Sequence, residues 1–502
     1  MSNNCFTRSA GILMAVSSLP SPYGIGTFGK EAYEFVDFVK NFRHKYWQVL
    51  PLGPTTYGDS PYQSFSAFAG NPYFIDLDTL IQEGLLTQAD VSACEWGDED
   101  PQYVNYEKMY QNRFNILHQA YNAFKDLMKK DGQSSLYEAF IADNKEWLED
   151  YALFMAVKDY NDGKSWTEWE KSIKFRRAEA VVQYSKTLAD EIGFWKFVQF
   201  KFFEQWNKLK GYANDNGIEI IGDIPIYMGL DSADVWAHVD EFQLDENLMP
   251  TKVAGVPPDA FSDLGQKWGN PLYDWDAMES NGFEWWRRRM QASAKLYDVI
   301  RIDHFIGIVK YYRIPADMPD ARQGEYAKGP GQKLLDIINE AIGEKKLIAE
   351  DLGVEVPEVN ELLKVNGYPG MKVLEFAFGG DRANPHLPYC YTKNCVVYGG
   401  THDNETLMGY YTDRSDSELA YAIQYLDTGD RSKMVDNTFR AAYSSVAVLA
   451  VFAVQDILKL DNRARMNLPS SLGINWKWRL KPGELTEEHA NNMRYLASVF
   501  AR

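Results

Sequence analysis

Four short stretches carry side chains that could do chemistry at a carbon–oxygen bond. In Arg301-Ile-Asp303 a guanidinium and a carboxylate stand two residues apart. On an extended backbone both point to one side. The arginine would then lower the pKa of Asp303 and keep it ionised. An ionised, oriented carboxylate is a nucleophile of the kind used in glycosyl transfer. Glu350 follows the apolar Leu347-Ile-Ala stretch; partial burial there would raise its pKa and leave it protonated at neutral pH, as a general acid must be. Its neighbour Asp351 would face the opposite way and is read as structural. Asp403 could accept hydrogen bonds from a hydroxylated ligand while His402 donates one. Asp223, in Gly222-Asp223-Ile-Pro225, is the fourth candidate. A carboxylate at a strand end is also a common helix N-cap, and an Arg-x-Asp pair is often a plain ion pair. The recurrence of carboxylates in the same relative position on separate strands is what favours chemistry.

Those positions need elements to hold them. Short apolar runs bounded by turn residues recur at Ile12–Val16, Trp47–Leu52, Ile218–Ile226, Val299–Phe305, Lys346–Leu352, Met371–Phe378 and Cys395–Gly400. Runs this short suit strands better than helices. An eighth, within Ser445–Leu458, fits either. Parallel βα units are the expectation, and reactive groups at the C-terminal strand ends suit a closed barrel. The fold class is therefore α/β: a (β/α)8 TIM barrel over residues 1–502, with no C-terminal β-sandwich. A large, mostly helical insertion is expected at 60–215 after the second strand, since Tyr103–Lys130, Ser134–Asp159 and Trp166–Asn214 show helical spacing. Inserted loops and helices that cover the substrate are expected at 228–297. A doubly wound open sheet is the alternative, but it would usually bring a glycine-rich phosphate loop directly after a strand; GxxxxGK[ST] does not occur, and the GxGxxG match at Gly24–Gly29 does not directly follow an apolar run.

Composition narrows the partners. The chain has 502 residues and a net charge of −19, which disfavours nucleic acid and other polyanions. Aromatic residues make up 14%, and exposed rings suit a neutral ligand with flat apolar faces. The four cysteines form no CxxC pair, so a reduced, cytoplasmic setting is expected. The run Ala10–Val16 is read as a buried strand rather than a secretion signal, and no apolar run approaches the ~20 residues a membrane helix needs. No HxxxH, His/Cys cluster, EF-hand-like loop or GxSxG elbow is present, so neither metal, organic cofactor nor serine triad is expected.

Aromatic loops complete the reading. Tyr57-Gly-Asp-Ser-Pro-Tyr62, Gly255-Val-Pro-Pro-Asp259 and Trp268-Gly-Asn-Pro-Leu-Tyr273 hold rings that could stack on sugar faces. With Ser18-Leu-Pro-Ser-Pro-Tyr-Gly-Ile-Gly, Gly222-Asp-Ile-Pro-Ile-Tyr, Arg465-Met-Asn-Leu-Pro and the strand-end carboxylates, they resemble the amylomaltases of glycoside hydrolase family 77, in the α-amylase clan. The third strand lacks the Asn-His common elsewhere in that clan.

The resemblance implies a 4-α-glucanotransferase that moves α-1,4-glucan segments between malto-oligosaccharides by a retaining double displacement. Donors would be malto-oligosaccharides or glucans from starch or glycogen, and acceptors glucose or oligosaccharides. Asp303 would be the nucleophile, Glu350 the acid and base, and Asp403 the residue favouring the distorted sugar. Arg301 would hold Asp303, His402 would grip the same ring, and Asp223 would aid sugar binding or orient the group. Tyr62 would stack near the cleaved bond, Tyr57 would serve a second glucan site, Asp259 and Trp268 would belong to the covering loop, and Asn467 would contact sugar. Two alternatives remain: an α-1,4-glucan hydrolase on the same barrel, and a non-catalytic glucan-binding protein.

Overall fold

The computed structural model describes residues 5–56, 58–97, 100–131, 135–258, 262–353 and 356–502. Among the described residues twelve strands form two sheets. In chain order they are β1 (Ser9–Leu13), β2 (Tyr46–Gln48), β3 (Glu219–Ile224), β4 (Lys252–Val256), β5 (Gln266–Pro271), β6 (Val299–Ile302), β7 (Lys310–Pro315), β8 (Glu325–Lys328), β9 (Lys346–Ala349), β10 (Gly370–Val373), β11 (Cys395–Tyr398) and β12 (Leu449–Ala453). Eight of them make one parallel sheet in the order β10-β11-β12-β1-β2-β3-β6-β9. Each neighbour is the next barrel strand in the chain. The two ends meet where Ala349 N donates to Pro369 O at 3.1 Å. The sheet is a (β/α)8 barrel, and the doubly wound alternative falls away.

Every expected run overlaps a barrel strand, and every strand ends before its run does. The residues after the strand end leave the ladder to form the rim. The eighth run resolves into both of its readings: β12, then a short helix, Val454–Ile457. The first run starts later than its strand, which includes Ser9 and Ala10 and pairs with β12 and β2.

Between β2 and β3 the regular elements are all helices, with long ones at Tyr106–Asp131, Lys145–Tyr160 and Ala189–Asp215. The aromatic excess goes largely into packing here and beside the barrel: Trp166, Trp206, Trp236, Trp285 and Trp286 are completely buried. Rings of this size bring a large apolar area to a core.

Residues 228–297 differ from expectation, because they contain strands as well as helices. β4 and β5 join β7 and β8 in a second, antiparallel sheet of order β5-β4-β7-β8. These strands, such as Gln266-Lys-Trp-Gly-Asn-Pro, are polar and glycine-containing, so they lack the apolar run that marks a core strand. Among the described residues no helix is long and apolar enough to cross a membrane. The four cysteines are free.

Candidate active site

Register places the first pair. Asp223 on β3 is the partner of Arg301 on β6, and the two side chains point the same way. Arg301 Nη1 lies 2.7 and 2.6 Å from the two Asp223 oxygens. The same nitrogen lies 3.0 Å from Asp303 Oδ1, so the two-residue spacing does bring 301 and 303 to one side. Gly222 is needed here, since a Cβ on it would fall 2.1 Å from the Tyr297 ring.

The ladder continues one residue beyond the strands. Asp303 N donates to Ile224 O and Glu350 N to Ile302 O, both at 3.0 Å. Ile302 pairs with Ala349, so Asp303 and Glu350 occupy the next, facing positions. After Asp303 the chain turns through His304 in the left-handed region, φ 53°. That conformation costs a non-glycine residue about 1 kcal/mol or more. It aims the His304 amide at Glu350 Oε2, 2.7 Å away, while the Leu352 amide donates to Oε1 at 2.7 Å. Glu350 is held by backbone rather than by side chains. Asp351 faces away and accepts from Met371 N at 2.7 Å, a structural role as expected.

The third carboxylate follows β11. Asp403 Oδ1 accepts from Asn467 Nδ2 at 2.6 Å and lies 3.4 Å from His402 Nε2. Its side chain is 48% exposed. Arg465 fixes the turn by donating to the carbonyls of Asp403 and Asn467 at 2.6 and 2.8 Å. Tyr62 ties the halves of the site together. Its hydroxyl donates to Asp223 Oδ2 at 2.8 Å and its ring stacks on His402 with centroids 4.9 Å apart. Trp268 packs edge-on against the His304 ring at 4.9 Å. It sits on β5, not on a loop. The Tyr62 loop is joined to that sheet by Gln63 Nε2 donating to Asn270 Oδ1 at 3.1 Å.

Electrostatics correct one expectation. Asp303 is not held below the usual carboxylate range; burial pushes its pKa up to about 6 against the pull of Arg301. The guanidinium is shared with Asp223, whose charge itself raises Asp303. Glu350 goes higher, to about 8, through burial first and the Asp303 charge second. Burial and the neighbouring charge thus favour a proton on Glu350 over one on Asp303. An anionic carboxylate beside a protonated one is the division of labour of a nucleophile and a general acid.

Asp303, Glu350, Asp403, Arg301, His402, Asp223, Tyr62 and Asn467 thus converge on one rim, with Trp268 beside them. Tyr57 and Asp259 lie outside the described residues. Asp223 is only 1% exposed, so of its two readings orientation fits and sugar contact does not. The structure adds to the site Arg465, the His304 and Leu352 amides, and Trp476, whose ring lies 5.8 Å from Tyr62. Arg465 is two residues from Asn467 and was legible by that spacing; the amides leave no trace in residue types. Among the described residues no cluster of three His, Cys, Asp or Glu is placed to hold a metal ion.

The glycoside hydrolase family 77 model, described as 4-alpha-glucanotransferase, matches residues 14–486. The chain belongs to this family. A 4-alpha-glucanotransferase of Clostridium butyricum is 48% identical over 491 residues, 97% of this chain and 100% of the relative. One from Thermus thermophilus is 46% identical over 506 residues, covering 99% of each. The structure is similar to that of an amylomaltase from Streptococcus agalactiae in complex with acarbose, with a TM-score of 0.95, 39% identity and 99% of each chain covered. Family 77 membership makes this chain a glucan-transferring enzyme, and the hydrolase reading is not favoured.

Proposed function

We propose that the chain moves α-1,4-glucan segments from malto-oligosaccharide donors to glucose or oligosaccharide acceptors by double displacement with retention. The observation that carries this is the pair of carboxylates at facing positions on neighbouring strands, Asp303 beside the Arg301 guanidinium and Glu350 on two backbone amides. In the first step Asp303 Oδ attacks the anomeric carbon, the bond to the leaving O4 breaks, and Glu350 gives that oxygen its proton. In the second, the acceptor's hydroxyl attacks the same carbon, Glu350 takes the hydroxyl proton, and the ester to Asp303 breaks. Asp403, half-exposed and steadied by Asn467, accepts hydrogen bonds from ring hydroxyls, and His402 grips the same sugar. Trp268 covers the Glu350 side and favours sugar over water. Tyr57 and Asp259 are proposed as glucan contacts on the sequence resemblance alone.

Maltotriose tests the proposal. Transfer yields glucose plus a ladder of longer chains, and the products of each turnover keep the α configuration. Reducing ends released without any longer product would refute it.

Asp223 and Arg301 act through Asp303. Asp223→Asn removes a charge that raises the Asp303 pKa, so the acid limb of the pH–rate profile is expected to move below about 6 while the alkaline limb stays. A merely structural loss would scale the whole profile and leave its limbs in place. Arg301→Leu would strand the buried Asp223 carboxylate and leave Asp303 without its cation, and is expected to cost about 3–5 kcal/mol of stability, measurable by denaturant unfolding.

A further inference from the structure

We propose that the groove between the helices Arg431–Ser444 and Glu487–Val499 is a further glucan-binding site, besides the one the resemblance assigns to Tyr57, and that it grips a neutral run of α-linked glucose beyond the catalytic cleft. It rests on the reading of the substrate as a glucan. The cavity measures about 480 Å³, against about 20 and 40 Å³ for the cavities that reach His402 and Tyr62. That is within the ~300–1,000 Å³ of small-molecule sites.

Its lining has the chemistry of a carbohydrate platform. Glu488, Asn492 and Tyr495 line the groove, and their i, i+4, i+7 spacing puts them on one face of the last helix. They span about 10 Å along its axis, the length of a short run of pyranose rings. Tyr495 is 62% exposed, so its ring is free to stack on a sugar face. Within the described residues neither its hydroxyl nor the Asn492 amide has a hydrogen-bond partner. The opposite wall supplies Asp436 and Arg440. Arg440 packs over Phe500, and Asp436 is paired with Lys459 at 2.8 Å.

Charge selects the ligand. Asp436, Arg440, Lys459 and Glu488 balance, so on a chain of net charge −19 this groove carries no excess of either sign. It favours a polyhydroxylated neutral ligand over an anion or a basic peptide. Position gives it a use. Ile457, Leu458 and Lys459 line the groove, while Gln455 and Asp456, just before them, line the cavity under His402. A long glucan held here would be kept beside the barrel rim between turnovers.

The test uses the full chain, amylose and maltotriose. In native gels containing amylose, Tyr495→Ser combined with Asn492→Ala should reduce retardation. The apparent KM for amylose should rise about two- to tenfold, the range that aromatic contacts carry. Disproportionation of maltotriose, too short to reach both sites, should be unchanged. Tyr495→Phe keeps the ring and should retain most of the retardation. Unchanged retardation and KM in the double variant would overturn the proposal. So would an equal loss on maltotriose and amylose, which would tie these residues to the catalytic cleft or the fold. A parent protein that leaves maltotriose untouched would instead overturn the glucan-transfer reading.

Discussion

Asp303→Asn is expected to lower glucan transfer by at least about 10^4-fold, the scale on which loss of a catalytic nucleophile acts. The amide cannot form the glycosyl ester, so the two-step route closes rather than slows. The surroundings should survive the change. Arg301 keeps both oxygens of Asp223, Tyr62 keeps its bond to the same carboxylate, and Glu350 keeps its two backbone donors. Glucan binding should persist while turnover is lost. Two measurements check this: glucose release from maltotriose, and calorimetric titration with a longer malto-oligosaccharide. Parent-like turnover in the variant would remove Asp303 from the reaction.

The resilience of that site follows from features with unequal traces in the sequence. The barrel strands were legible because each must be apolar to lie between helices and core. The carboxylates after them were legible because polar residues ending an apolar run stand out. Pairing of Arg301 with Asp303 followed from strand alternation, but its electrostatic outcome did not. Alternation gives the neighbour and not the burial, and burial decides the sign at Asp303. Nor does alternation reveal that Asp223, from a strand some eighty residues earlier, competes for the same guanidinium. The β5 strand that carries Trp268 leaves no apolar run in the sequence for a different reason. Its sheet lies outside the barrel, so its strands need no apolar run, and Gln266–Pro271 reads as a turn-rich loop. His304 looks like an ordinary histidine until its left-handed φ shows that its amide, rather than its ring, faces Glu350.

Glu350→Gln is the second large effect, and its pattern tells an acid–base role from a structural one. The amide has no proton to give to a departing sugar. Transfer from maltotriose should fall about 10^3-fold, within the 10²–10⁴ that general acid catalysis contributes. The alkaline limb near 8 arises when Glu350 loses its proton, so it should vanish. The acid limb near 6 reflects protonation of Asp303. It should remain, because Glu350 is already neutral in that range and replacing it with a neutral amide leaves the field at Asp303 little changed. Both limbs belong to a coupled pair, and the variant uncouples them. A donor whose leaving group needs no proton separates the two steps. With an α-maltosyl fluoride, attack by Asp303 should proceed at near the parent rate, since fluoride departs as an anion. The glycosyl-enzyme should then accumulate, because the acceptor hydroxyl lacks a base. Azide, an anion that needs none, should release it as the α-glycosyl azide. A variant equally slow on the fluoride and on maltotriose, with its alkaline limb intact, would mean that Glu350 only supports the turn around His304 and that another group moves the proton.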